Sequence, residues 1–260
     1  MFDKLTNKAV FSAEEIELIS CAYKSQLKEI RHAIKTIELL ETKSKFDKKR
    51  TSMQRYKNGL IYDLCNKGKD LVDSLEKYCV DAAAAPLTLI LFFKMQADIY
   101  RYMAEHTQKF NDPFVPEEVL PQKYIDSCPE SEREKLKSTP LKTIYKEEAM
   151  IHYKKARFIS KRQADKIALQ DSSGKPNEIN SVQLGLGLNY AVFLWEIVQT
   201  PDQKKYALRH LKRIIQRALD DFDHWKDDER EKISQQVELI KENINQWMNE
   251  GINTDSDEEN

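Results

Sequence analysis

The residues best suited to chemistry in this chain are charged side chains that recur on one helix face. In the stretch FFKMQADIYRYMAE, Lys94, Asp98, Arg101 and Glu105 follow one another at steps of four, three and four. Their signs alternate, so each cation has a carboxylate one helical turn away. Such a row has two uses. It is a solvated face laced with weak ion pairs, or it is an anion receptor whose carboxylates hold the cations in position. Tyr102, beside Arg101 on a helix otherwise apolar enough to be mostly buried, favours the second. A guanidinium steadied by a carboxylate and set next to a phenol hydroxyl complements a phosphate dianion. Lys24 and Arg31 lie seven residues apart, two turns along one face of an earlier helix. They add positive charge, with Lys28 and Lys35 flanking them, although a Lys/Arg row is also the ordinary solvated side of an amphipathic helix.

Other chemistries find little support. The chain has no phosphate-cradling glycine loop, no Gly-x-Ser-x-Gly and no His-Glu-x-x-His. A di-metal centre in a helical bundle needs a pair of Glu-x-x-His motifs, and only Glu29-x-x-His32 occurs, among basic neighbours. Cys21, Cys65, Cys79 and Cys128 have no metal-like spacing and read as reduced core thiols. No catalytic residue, metal or cofactor is expected.

The elements that must position these residues are helices. The chain of 260 residues holds only six glycines and eight prolines, while 33% of it is charged; long helices need few turn residues, and sheets need many. Ser12 and Glu15 form a capping box that starts a helix near Ala13. Its apolar stripe is Ile16, Ile19, Tyr23, Leu27, Ile30, Ile34 and Ile37. A second helix is expected from about Lys48 to Tyr78, with Leu60, Leu64, Val72 and Leu75 inward. The central helix follows Pro86 and turns Phe92, Met95, Ile99 and Met103 to the core.

Five prolines between Asn111 and Pro140 mark a break, with a short helix near Glu130 to Lys137. Helical periodicity returns from Leu141 to about Arg162. After a second polar break, Asp171 to Asn180, comes the almost continuously apolar Leu184–Val198, in which Asn189 is the sole amide; a buried amide needs partners, in the core or from a ligand's backbone. Leu208, Leu211, Ile215, Leu219 and Phe222 mark the next helix, from near Pro201. The last carries Ile233, Val237, Ile240, Ile244 and Trp247, with Asn243 beside the stripe. Seven or so mostly antiparallel helices therefore form one all-α domain over residues 12–250, preceded by a short segment, 1–11, and followed by an acidic tail, 251–260, with no periodicity.

Net charge is −1, so no global field draws the chain to nucleic acid or to a membrane surface. The longest nearly apolar run, Ala82 to Phe93, is far shorter than the ~20 residues of a membrane span, and the first ten residues lack a signal peptide's apolar core. A cytoplasmic protein is expected. From the residues alone, two kinds of partner stay open: phosphorylated proteins, or unphosphorylated acidic or helical ones bound to a helical scaffold.

Sequence resemblance narrows the choice. FFKMQADIYRYMAE resembles the signature of the 14-3-3 family of phosphoserine/phosphothreonine adaptors, and QLGLGLNYAVFLWEI is similar to that family's second signature. AEEIELISCAYKSQLKEIR, YDLCNKGKDLVDSLEKY and KENINQW continue the likeness in register over roughly residues 12 to 248, interrupted by the two polar breaks, which look like insertions. The resemblance implies a bundle of about seven to nine helices that forms an amphipathic groove and binds phosphorylated client proteins without catalysis. Lys24, Arg31, Arg101 and Tyr102 match the family's phosphate-holding residues, and Asp98 the acid that steadies the arginine. Asn189 and Asn243 match the asparagines that hydrogen-bond a peptide backbone. Lys94, Glu196 and Trp247 match further groove residues, and Leu188, Val192 and Leu239 its apolar wall, where Gln235 and Gln236 replace the usual Leu and Ile. The family's dimer interface is built largely by two short helices ahead of the Ala-Tyr-Lys helix, and only about a dozen residues stand there in this chain. A homodimer weaker than the family's, or built differently, is the expectation. In the tail, Thr254 and Ser256 sit among acids, a context suited to acid-directed kinases.

Overall fold

In a computed structural model of the protein, the residues described are 13–77, 85–107, 119–120, 125–126, 128–132, 139–170, 180–221, 225 and 227–250. Segment 1–12, with Ser12 of the expected capping box, and the tail with Thr254 and Ser256 lie outside them, as do Cys79 and Phe222. Among the described residues there are seven α-helices and no strand, which is the all-α class expected. They are α1 (Ala13–Glu41), α2 (Arg50–Leu75), α3 (Pro86–Thr107), α4 (Leu141–Gln170), α5 (Ser181–Phe193), α6 (Pro201–Asp220) and α7 (Asp227–Asn249). The chain divides into two compact units, Met1–His152 and Tyr153–Asn260.

In the first unit, α1 buries Ile19, Tyr23, Leu27, Ile34 and Ile37 and exposes Lys24, Lys28 and Lys35. Cys21 stands on the exposed face, against its reading as a core thiol, because it falls between the inward turns at Ile19 and Tyr23. Cys65 is a core thiol, and burial pushes it up to about 12, only partly offset by a hydrogen bond with Tyr145. The second helix starts at Arg50 rather than Lys48. Ser44–Lys49 form a tighter 3-10 turn in which Asp47 takes the Arg50 guanidinium at 2.7 Å and its carbonyl accepts the Arg50 backbone N–H. Such turns often lead into an α-helix.

Helix α3 seats its stripe of Phe92, Met95, Ile99 and Met103 in the core. At the α2–α3 crossing, Gly68 permits close approach: a Cβ there would lie 2.6 Å from Met103 Sδ and 3.3 Å from Ile99 Cγ2. Any side chain at this position would push α3 away or force the Met103 rotamer. The start of α4 adds Leu141, Ile144 and Tyr145, whose hydroxyl donates to the Val119 carbonyl at 3.0 Å. The short helix expected near Glu130 is a single 3-10 turn, Glu130–Glu132, and the residues just beyond it lie outside those described.

In the second unit, α4 runs to Gln170, eight residues past its expected end, since no glycine or proline interrupts it before Gly174. A capping box begins α5: Asn180 Oδ1 accepts from Gln183 N at 2.9 Å, and Asn180 N donates to Gln183 Oε1 at 3.3 Å. Leu184, Leu186, Leu188 and Phe193 are buried, so Ser181–Val198, a longer apolar stretch than the expected longest run Ala82–Phe93 and long enough by composition for a membrane span, is laid largely into this unit's core. The helix ends in a wide π turn, Leu194–Val198, closed by Gln199 in the left-handed region at φ 61° with its N–H on the Leu194 carbonyl. Thr200 then caps α6, and Pro201 sits in its first turn. The buried stripe of α6 is Ala207, Leu208, Leu211, Ile214 and Ala218. Ile215 is only half-buried and Leu219 is exposed, because Leu219 stands roughly 100° round the helix from Ala218. Helix α7 buries Ile233, Val237, Ile240 and Trp247.

Candidate functional site

The first unit brings α1 and α3 together through charge. Arg31 Nη2 donates to Glu105 Oε2 at 2.9 Å, and Lys35 Nζ lies 2.9 Å from Glu105 Oε1. Spacing alone pairs Glu105 with Arg101 along α3; across the helix interface it holds these two α1 cations. Lys94 Nζ donates to Asp98 Oδ2 at 3.0 Å, and Arg101 Nη2 stands 3.9 Å from Asp98 Oδ1. Asp98 and Arg101 are only 3% and 7% exposed, so this face of α3 is an interior ion-pair system rather than a solvated row.

Both guanidiniums converge on one ring. Arg31 Cζ lies 3.7 Å, and Arg101 Cζ 4.5 Å, from the Tyr102 ring centre. Each gains from the negative face of the aromatic ring, and the two carboxylates offset the repulsion between them. Arg31 Nε is buried with no hydrogen-bond partner among the described residues. Lys24 is exposed, two turns before Arg31 on α1. The named cations of these faces are Lys24, Arg31, Lys35, Lys94 and Arg101, against the two carboxylates Asp98 and Glu105. An arrangement of clustered cations, fixed forks and a phenol can bind an anion.

Glu105 carries a measurable signature of this cluster. Burial raises its pKa, but the charges of Arg31, His106 and Lys35 and a hydrogen bond from Lys35 outweigh it and hold the carboxyl down to about 2 from an ordinary 4.5. A folded-state value below the unfolded one means stability that is complete above pH 4.5 and is lost as pH falls toward 2. That difference corresponds to on the order of 3 kcal/mol. Urea unfolding of wild type and Glu105→Gln should differ most at neutral pH and converge progressively below pH 4.5. A gap unchanged from neutral pH to pH 3 would contradict the cluster's role in joining α1 to α3.

The second unit holds the remaining candidates. On α5, Asn189 and Val192 are half-buried one turn apart, and Leu188 is buried. On α7, Leu239 is 48% exposed and Asn243 is half-buried, with Asn243 Nδ2 donating to the Leu239 carbonyl at 2.7 Å. Glu196 is exposed on the wide turn. Trp247 is placed differently from a groove contact: it is 1% exposed and stacked on Trp195 at 4.4 Å and 6°. It therefore supports α7 from within. Trp195 in turn donates from Nε1 to Glu250 Oε2 at 3.1 Å and has Lys204 Nζ 4.8 Å above its ring. Gln235 is exposed and Gln236 half-buried. The pairing missed from sequence, Glu105 of α3 with Arg31 and Lys35 of α1, has no signal in local spacing because it joins two different helices.

Comparison with known proteins extends over nearly the whole chain. The 14-3-3 protein family model matches residues 1–141 and 143–248. The 14-3-3 protein beta/alpha-A of Xenopus laevis is 24% identical over 250 residues, covering 96% of this chain and 84% of the relative. The 14-3-3-like protein 2 of Caenorhabditis elegans is 23% identical, with coverage of 96% and 83%. The human 14-3-3 protein beta/alpha is 22% identical, with coverage of 95% and 82%. Helical architecture and family match together define a protein-binding adaptor that is not an enzyme. The chain belongs to the 14-3-3 family.

Proposed function

We propose that the protein is an adaptor whose binding depends on phosphoserine or phosphothreonine in its clients. A phosphorylated side chain brings about −1.5 to −2 charge and three strong acceptor oxygens. Lys24, Arg31, Arg101 and the Tyr102 hydroxyl are assigned to hold it, with Asp98 and Glu105 fixing the two arginines. The observation that carries this reading is the convergence of Arg31 and Arg101 on the Tyr102 ring while Arg31 Nε remains without an acceptor. Lys94, Asn189, Asn243, Glu196, Leu188, Val192 and Leu239 are assigned to the client's backbone and flanking side chains, with Trp247 in support. Two glutamines in place of apolar residues at 235 and 236 favour more polar flanks than the family ordinarily takes.

We place the adaptor in the cytoplasm as a weak, concentration-dependent homodimer; Leu18 on α1, 59% exposed, offers an apolar edge for it. The acidic tail serves as a regulator in this reading. From Asn249, where α7 ends, to Ser256 an extended chain would reach about 23 Å at ~3.3 Å per residue, and phosphorylation at Thr254 or Ser256 would make it a tethered competitor at high effective concentration. The deciding experiment is fluorescence anisotropy of a labelled phosphopeptide and its unphosphorylated twin. A clear preference for the phosphopeptide supports the reading. Equal affinities would refute it and favour a scaffold for unphosphorylated acidic or helical partners.

A further inference from the structure

The second unit contains a cavity of about 310 Å³ bounded by α4, α5 and α6, apart from every residue assigned above. Its walls carry Arg157, Lys161 and Arg217, and among the described residues no carboxylate lines it. Leu186 and Ile214 give it an apolar side. Gly187 and Asn189 point about 200° apart around α5, so the cavity opens on the helix side opposite the candidate amide.

The contacts that position Arg157 among the described residues do not neutralise it. Its Nη2 donates to the Tyr206 hydroxyl at 2.7 Å, and its guanidinium lies 4.3 Å from the Tyr190 ring centre. Both partners are uncharged, so the fork is oriented while its charge stays available to a ligand. His210 stacks on Tyr206 at 5.8 Å and 8°, and its Nε2 is buried with no hydrogen-bond partner among the described residues. Gly187 keeps the space before that nitrogen open, since a Cβ there would lie 3.2 Å from Nε2. Burial, Arg157 and Arg213 hold the imidazole down to about 4, so at neutral pH it is uncharged and can donate or accept a hydrogen bond. A volume of this size falls at the lower end of small-molecule sites, roughly 300–1,000 Å³.

We propose that this cavity is a binding site for a small organic anion with an apolar body and a single carboxylate or phosphate head. The head is taken by Arg157, Lys161 and Arg217, and the body rests on Leu186 and Ile214. His210 Nε2 supplies one directional hydrogen bond to the ligand's polar edge.

The test uses the full chain and the fluorescent probe anilinonaphthalene sulfonate, which has an aromatic body and one anionic head. Wild type should bind it saturably, with the cavity as its tightest site. Lys161→Glu combined with Arg217→Glu changes two exposed side chains, so the fold should persist by circular dichroism, and the probe should bind at least about tenfold more weakly. Ala164→Phe, which fills the cavity instead of changing its charge, should weaken binding similarly. Lys49→Glu combined with Lys67→Glu, an equal charge change on exposed residues of the first unit, should leave it within about twofold. Displacement by phenyl phosphate or by benzoate identifies the preferred head. The proposal is overturned if wild type has no saturable site, if neither competitor displaces the probe, if the cavity variants bind as wild type, or if the control pair weakens binding equally. None of these readouts involves a phosphopeptide, so the result stands apart from the adaptor assignment.

Discussion

Asp98→Ala should lower the unfolding free energy by about 3–5 kcal/mol, the cost of removing one partner from a buried ion-pair system. The carboxylate is 3% exposed, bonded to Lys94 at 3.0 Å and 3.9 Å from Arg101, and the side chains of both cations are nearly as buried. Alanine leaves two interior cations without the anion they share. Asp98→Asn keeps the shape and one acceptor but not the charge, so its loss should be smaller. Urea denaturation at neutral pH measures both. An Asp98→Ala protein within about 1 kcal/mol of wild type would show that this face of α3 is solvated after all.

How far the sequence could be read follows the range of each interaction. The α3 stripe and the Lys94–Asp98 pair are legible because both depend on repeats of three and four within one helix. The Arg31–Glu105 bond is not, because it depends on the register in which α1 meets α3. Family resemblance put Arg31 and Arg101 in one site, but no periodicity could have set both on the Tyr102 ring. Hydrophobicity likewise ranked Leu219 above Ala218, although the face geometry of α6 buries the smaller side chain. For Trp247 the family resemblance points to the groove while its place on the α7 apolar stripe points inward, and the Trp195 stack follows the stripe. The partition of the chain at His152 falls inside continuous helix, where no glycine, proline or change of composition marks it.

The second large effect concerns Arg101. Arg101→Ala should weaken phosphopeptide binding by about 1.5–3 kcal/mol, the worth of a charge-assisted contact, which is roughly tenfold to more than a hundredfold. Affinity for the unphosphorylated twin should change little. Because Arg101 is 7% exposed and its guanidinium lies 4.5 Å from the Tyr102 ring centre, truncation also opens a cavity. Arg101→Lys separates the two effects: it keeps the charge and much of the volume but loses the planar fork, and should fall between wild type and alanine. Anisotropy titrations with both peptides provide the ratio. If the phosphorylated-to-plain ratio is the same in wild type and Arg101→Ala, the phosphate is held elsewhere.

The paired indoles of Trp195 and Trp247 have an optical consequence. Those two and Trp225 are the chain's three tryptophans, and all lie in the second unit. Indole emission is therefore a label already attached to one half of the molecule, while the first half is visible only through its phenols. The stack should give a near-ultraviolet dichroic band that vanishes when the second unit loses its fixed packing, whatever happens around Arg31 and Arg101. Following that band beside far-ultraviolet dichroism during denaturation would tell whether the halves melt as one body or in turn, with no added dye or engineered residue.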